Sequence, residues 1–387
     1  MIFDDKNDAI MMNGEPMMAK NKMNDQDDVD DDDDILFTEF KSNQIRKSLR
    51  DNDRLALKTL ACSNGGFVVN ELRVKVWCRL AYVDDEDDDN DILGDQNDNS
   101  NNIERNNNYR QVILDVERSL KRFPPSVQEV QRIAYQDKLT QLIIRILDHN
   151  PDMYYYQGYH DVCLTFLLVM NEHQAFHLIN AISRSHLRFY MERTMNTTSN
   201  LLEIIYLIIK DEDDQLYNHL IRSEVGTIFS LSWVITWFSH VLIDLDDILR
   251  LFDLFISTHY LTPIYMTVAI LMWKKSDILL VNCDMASMHK FLSAIPIEHS
   301  SLPIDRLVRD TLELSVRYPP EDTLERQKQI ETNALNDNND NHQQNNDDGQ
   351  SLIRFSIQFL RRNIFSFAFI GFITAIVHQF CHDYLYI

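Results

Sequence analysis

Apolar residues along this chain recur at helical rather than strand spacing. Leu72, Val76 and Leu80 fall at i, i+4 and i+8 behind a Gly65-Gly66 break, and predict a helix within the folded stretch Ile45–Tyr82. Leu139, Leu142, Ile143, Ile146 and Leu147 make one broad apolar face, and Asn150-Pro151 ends that helix. Tyr159–Met170 and Leu201–Ile209 repeat the pattern. From Val225 to Met272 the apolar residues, among them Trp233, Trp237, Phe238, Leu249, Phe252 and Phe255, are dense enough to predict helices covered on several sides. Period-two runs separated by hairpin signals are scarce, so the chain reads as an all-α domain and not as a Rossmann or barrel enzyme.

Breaks in this pattern set the domain organisation. Residues 1–41 turn Asn- and Asp-rich, lack the basic start and apolar run of a signal peptide, and are expected to be a disordered acidic segment. A folded body is expected over 42–325, interrupted at 84–108 by an Asn/Asp-rich insertion; such stretches bury too little apolar surface to offset the entropy of ordering them. Residues 326–350 read as a low-complexity linker. Residues 351–387 then place a basic collar, Arg354, Arg361 and Arg362, ahead of the uncharged run Ile364–Val377, with Asp383 the one ionised side chain from there to Ile387. A transmembrane anchor is expected at about 364–384, with the body on the cytoplasmic side by the positive-inside tendency; a buried or surface-lying helix is the other reading. The uncharged run would cover about 21 Å of a hydrocarbon core roughly 30 Å thick, whereas the whole tail Ile364–Ile387 could reach about 36 Å, which puts His378, Gln379 and His382 near the far interface.

Composition narrows the function classes. Of 387 residues 44% are hydrophobic, compatible with a sizeable core, and 37 basic against 60 acidic side chains give a net charge of −23. Much of the acid lies in Asp25–Asp34 and Asp84–Asp98, so it describes those tracts and not the field of a site. The balance argues against nucleic-acid binding. Cys62, Cys78, Cys163, Cys283 and Cys381 form no close pair, against a disulfide framework or a Cys-x-x-Cys zinc module and in favour of a reducing compartment. Asp84–Asp91 lacks the glycine and glutamate positions of an EF-hand, and no P-loop, Gly-x-Gly-x-x-Gly, Gly-x-Ser-x-Gly or His-Glu-x-x-His pattern occurs. His173 and His177 lie four apart without a third metal ligand at a fitting spacing. Cys163 near His160 and Asp161 reads as core packing, because adjacency in sequence does not set a nucleophile and a base in catalytic geometry.

Two stretches carry chemistry of their own. In Val112–Arg118 the side chains of Asp115 and Arg118 share a helix face, so the carboxylate can hold the guanidinium in one orientation. Such a planar, permanently charged fork can bridge phosphate oxygens as charge shifts during phosphoryl transfer. In Tyr154-Tyr155-Tyr156-Gln157-Gly158, Gln157 is a neutral donor and acceptor between aromatic bulk and a permissive glycine, suited to orienting an attacking water. Taken alone, Arg118 is equally a surface ion-pair partner of Asp115 or Glu117, and Gln157 a turn residue at a helix start. Spacing does not bring the two together.

Gly66-Phe67-Val68-Val69-Asn70-Glu71-Leu72-Arg73 with Val76-Trp77, Asp115-x-x-Arg118, and Tyr155-Tyr156-Gln157-Gly158-Tyr159-His160-Asp161 resemble the motifs of TBC-domain GTPase-activating proteins for Rab GTPases. Glu224–Phe229 with Trp233 and Trp237, and Cys283–Ser287, extend the resemblance over about Gly65–Pro320, and the chain specifically resembles the membrane-anchored endoplasmic-reticulum subgroup. The resemblance implies an all-α TBC fold, a GTP-bound Rab GTPase as partner, and two residues supplied in trans to accelerate GTP hydrolysis: Arg118 as arginine finger and Gln157 as glutamine finger. It implies that Asp115 orients Arg118, that Tyr156 and Gly158 shape the loop of Gln157, and that Arg73 and Trp77 support the structure. No cofactor is expected, since Mg²⁺ and GTP would belong to the Rab. The same resemblance implies contact with the lipid bilayer through the C-terminal tail, the endoplasmic-reticulum membrane as location, and a role in endoplasmic-reticulum-to-Golgi traffic. A catalytically silent Rab-binding or membrane scaffold is the alternative on the same fold. Ser119–Arg122 separate Arg118 from Phe123-Pro124 and introduce Arg122 as a rival, over which Asp115-x-x-Arg118 favours Arg118.

Overall fold

In the computed structural model, which describes residues 30–81, 109–122, 129–298 and 302–340, every regular element is a helix. In chain order these are α1 (Asp30–Arg50), α2 (Arg54–Cys62), α3 (Asn70–Leu80), α4 (Tyr109–Arg122), α5 (Glu129–His149), α6 (Tyr159–Leu167), α7 (Glu172–Ser185), α8 (Asn196–Leu202) and α9 (Ile204–Glu212). They continue as α10 (Asp214–Arg222), α11 (Ile228–Ile235), α12 (Leu245–Ser257), α13 (Thr262–Trp273), α14 (Lys275–Ile278), α15 (Met285–Glu298), α16 (Ile304–Arg317) and α17 (Pro320–Asp340).

Helix α13 is buried at every position from Thr262 to Leu271, as expected of a helix apolar on all sides, and Pro263 sits in its first turn, where no intrahelical N–H is needed. Against it lies α16, which buries one stripe, Leu307, Val308, Thr311 and Leu314, and keeps its charges outward. Helix α12 starts where the Asp244 carboxylate accepts the N–H groups of Asp246 (2.8 Å) and Asp247 (3.3 Å). Its Phe252 meets Trp77 of α3 and Phe166 of α6, with ring centroids 6.3 and 5.2 Å away, and Trp237 closes the cluster at 5.1 Å. Leu72, Val76 and Leu80 are buried on α3, and α5 ends at Asn150, whose side-chain amide donates to the Ile146 carbonyl at 2.7 Å.

The structure moves two expected boundaries. The segment expected to be disordered through residue 41 is helical from Asp30. Farther along α1, Ile45 enters the core, and the buried Lys41 ammonium donates to the Ser63 and Asn64 carbonyls past the end of α2; burial pulls its pKa down to about 8. The expected linker from residue 326 is helical to Asp340, and its start is docked: Arg326 pairs with Asp211, and Gln327 is buried.

The expectation of a transmembrane helix is also corrected. Among the described residues no helix is long and apolar enough to cross a membrane, and residues 364–384 lie outside them. The acidic insertion at 84–108 likewise lies outside the described residues.

Among the described residues, core packing leaves the Tyr190 hydroxyl without a partner. The buried Tyr190 side chain packs edge-on to Tyr156 at 6.2 Å, but its Oη has no hydrogen-bond partner among the described residues. Tyr190→Phe is therefore expected to keep or raise stability, by about 1 kcal/mol. A urea unfolding midpoint clearly below that of the wild type would show that the hydroxyl is satisfied in solution.

Candidate functional site

Helix α4 turns Val112, Asp115 and Val116 inward on one face. Asp115 is 1% exposed, whereas Arg118, one turn on, is 48% exposed. A buried carboxylate needs partners, and this one has three. Its Oδ1 accepts from Gln111 Nε2 at 2.9 Å and faces Arg118 Nη2 at 3.3 Å; its Oδ2 accepts from the Tyr155 hydroxyl at 3.0 Å. Arg118 Nε also donates to the Leu114 carbonyl at 3.2 Å. The guanidinium is thus tethered from below while its outer half reaches solvent.

The loop between α5 and α6 carries Gln157. Tyr154 N–H fixes its start on the Met191 carbonyl at 2.8 Å. Tyr155 ties the loop to α4 through Asp115, and Tyr156 ties it to the end of α11, its hydroxyl donating to the Ile235 carbonyl at 2.8 Å. Between the buried Tyr156 and the buried Gly158, Gln157 is exposed. Gly158 opens α6 with φ +107°, a left-handed conformation, and a Cβ there would lie 2.6 Å from Thr236 Cγ2. Gly158→Ala is therefore expected to lose about 1–3 kcal/mol of stability and to displace the loop. Urea unfolding measures the first effect; an unchanged midpoint would mean that the turn relaxes freely.

Beneath this loop runs a chain of polar groups. Tyr155 Oη lies 2.9 Å from His160 Nδ1, His160 Nε2 lies 3.5 Å from Asp161 Oδ1, and Asp161 Oδ2 lies 2.7 Å from His240 Nδ1. Burial, with Asp115 next, pushes the Tyr155 phenol well above its usual range, so the hydroxyl keeps its proton. Burial lowers the pKa of His160, against the pull of Asp161 and Asp115. Cys163 is fully buried, and burial drives its thiol up, so the core role expected for it holds: His160 Nδ1 faces Tyr155.

Of the residues named from the sequence, Asp115, Arg118, Tyr156, Gln157 and Gly158 belong to α4 and this loop. Arg73 and Trp77 do not. They surround Asp253 of α12, with Arg73 Nε 3.1 Å from Oδ2 and Trp77 Nε1 donating to Oδ1 at 2.9 Å. Phe67 N–H completes the set at 2.9 Å, and Gly66 leaves room for it, since a Cβ there would stand 2.4 Å from Asp253 Oδ2. Burial raises the Asp253 pKa, countered by Arg73, the Phe67 N–H, Arg250 and Trp77. Trp77 touches the site region through Phe166 on α6, at 5.4 Å.

Sequence reasoning misses Gln111, Tyr155 as an anchor, His240 and Asp253. The i, i+4 spacing of Gln111 and Asp115 is a local signal for the first. His240 and Asp253 meet partners 79 and at least 176 positions away, so no local signal exists.

Comparison with known proteins gives four consistent likenesses. The Rab-GTPase-TBC domain matches residues 70–279. "TBC1 domain family member 20" of Bos taurus is 42% identical over 268 residues, 69% of this chain and 64% of the relative, so the chain spans just under two thirds of that protein's length. "GTPase-activating protein gyp10" of Schizosaccharomyces pombe is 30% identical over 272 residues, 70% of each chain. Among solved structures, the Chlamydomonas flagellar RabGAP TBC domain superposes with a TM-score of 0.53 at 14% identity, covering 72% of this chain and 94% of that domain. At that identity the likeness speaks for the fold alone.

Proposed function

Because the chain belongs to the Rab-GTPase-TBC domain family, we propose that it is a GTPase-activating protein for GTP-bound Rab GTPases, supplying Arg118 and Gln157 in trans. The observation that carries this reading is the Asp115–Tyr155 hydrogen bond at 3.0 Å, which couples the helix of Arg118 to the loop of Gln157 and leaves both side chains facing solvent. A phosphoryl-transfer transition state needs positive charge on its equatorial oxygens and an oriented water. A half-exposed guanidinium on a buried carboxylate supplies the first, and an exposed amide on a loop pinned by Tyr155 and Tyr156 supplies the second. Asp115 is the residue that orients Arg118; Gly158 permits the turn; Arg73 and Trp77 hold the fold through Asp253. Mg²⁺ and nucleotide belong to the Rab, and the chain contributes no cofactor.

Endoplasmic-reticulum association and action in traffic from that compartment belong to the same proposal, supported by the resemblance to that subgroup. The test is single-turnover phosphate release from a panel of GTP-loaded Rabs with the full chain. Acceleration of at least one Rab is expected. GTP-dependent binding without acceleration would instead establish the silent Rab-binding scaffold.

A further inference from the structure

Beneath the two fingers, the three contacts Asp115–Tyr155, Tyr155–His160 and His160–Asp161 need one proton more than a neutral His160 supplies. The Tyr155 hydroxyl has a single proton and two neighbours that want it: Asp115 Oδ2 at 3.0 Å and His160 Nδ1 at 2.9 Å. If Tyr155 donates to Asp115, His160 must carry its proton on Nδ1, and a neutral ring then turns the Nε2 lone pair toward Asp161 Oδ1 at 3.5 Å. If the neutral ring carries its proton on Nε2 instead, Tyr155 must donate to Nδ1. Asp115 then faces a phenol lone pair and loses one of its holders. The cationic ring satisfies these three contacts at once, donating from Nδ1 to Tyr155, which donates to Asp115, and pairing through Nε2 with Asp161.

From this geometry we infer that His160 is a positioning residue whose protonation fixes Asp115 beneath Arg118, so that finger placement depends on pH. The inference rests on the proposed function only for its activity readout. The groups that face the ring come from each side: Asp115 and Arg118 from α4, Tyr155 from the loop, Asp161 from α6 itself, and His240 from beyond α11. Asp161 and Asp115 favour the cation, and His240 and Arg118 oppose it. Nearby, the Ser183 hydroxyl of α7 and the Tyr159 hydroxyl share a hydrogen bond at 2.7 Å, and the buried face of α5 is formed by Leu142, Ile143 and Ile146. His240, at 38% exposure, connects the chain of groups to solvent.

Burial lowers the proton affinity of His160 in the fold, so the switch falls on the acid side of an ordinary histidine. The unfolded ring protonates first as pH falls, so acidification removes stability in the same window in which it completes the network. A residue with only a structural role would show the stability loss and no gain in finger placement.

The test uses the full chain with histidines labelled at ¹³Cε1, the His160 signal being assigned by its absence in His160→Asn. Three forms, wild type, His160→Asn and Tyr155→Phe, are followed between pH 5.5 and 8. The His160 signal is expected to titrate in the wild type and to shift its midpoint in Tyr155→Phe. With an accelerated Rab, the ratio of wild-type to His160→Asn single-turnover rates at saturation is expected to rise roughly threefold to tenfold toward acid, the span one net hydrogen bond supports. A ratio flat across the range, or a His160 midpoint indifferent to Tyr155→Phe, would overturn the inference. The second of these readouts needs no Rab, so failure of the activating function and failure of the proton link are told apart.

Discussion

Replacing Arg118 by alanine is expected to remove nearly all stimulated GTP hydrolysis and leave the helical fold in place. An arginine finger is worth about 10³–10⁵ in rate, or roughly 4–7 kcal/mol of barrier, because it meets charge that develops in the transition state. The fold should survive because the side chain is half exposed and the buried Asp115 keeps its bonds to Gln111 and Tyr155. Single-turnover phosphate release at saturating protein measures the loss, and far-UV circular dichroism checks the fold. A well-folded variant that matches the wild-type rate would take the role away from Arg118. Gln157→Ala, at an exposed loop position, should act in the same direction.

The largest stability effect is expected at a residue far from that chemistry. Asp253→Ala leaves the Arg73 guanidinium, 6% exposed, with no carboxylate beside it, and strips acceptors from the Trp77 and Phe67 N–H groups. Removing one member of a buried ion pair typically takes away about 3–5 kcal/mol, a large part of the 5–15 kcal/mol that holds a domain together. Asp253→Asn keeps the shape and one acceptor and should lose less. Urea unfolding of the full chain decides it: a loss under about 1 kcal/mol for the alanine variant would mean that Arg73 finds another partner or solvent.

How far the sequence discloses this molecule depends on the range of the interaction. The stripe of α5 and the all-round apolarity of α13 are legible because a helix displays its burial within a few turns. Asp115 and Arg118 are legible as a pair for the same reason. Tyr155 sits inside a motif that draws attention to Gln157, yet its bond to Asp115 spans 40 positions and no periodicity announces it. Helix α1 runs against composition: its Asp-rich start looks like a solvated tract, and what orders the helix is the docking of Lys41 and Ile45 onto distant parts of the fold. Arg73 and Trp77 show the converse. Resemblance marks them as supporting residues, but only the fold reveals that what they support is a buried carboxylate.

That carboxylate also has a temporal side. Asp253 follows Phe67 by 186 positions in the chain. At ~5–20 residues per second, it leaves the ribosome roughly 10–40 s after the turn whose N–H it will accept. During that interval Arg73, Trp77 and the turn at Gly66 have no native carboxylate to close on, so α3 waits exposed, its final shape decided by a helix not yet made. Synthesis of this domain therefore includes an interval, longer the slower the elongation, in which the Gly66 turn and α3 lack the carboxylate that they close on in the native fold.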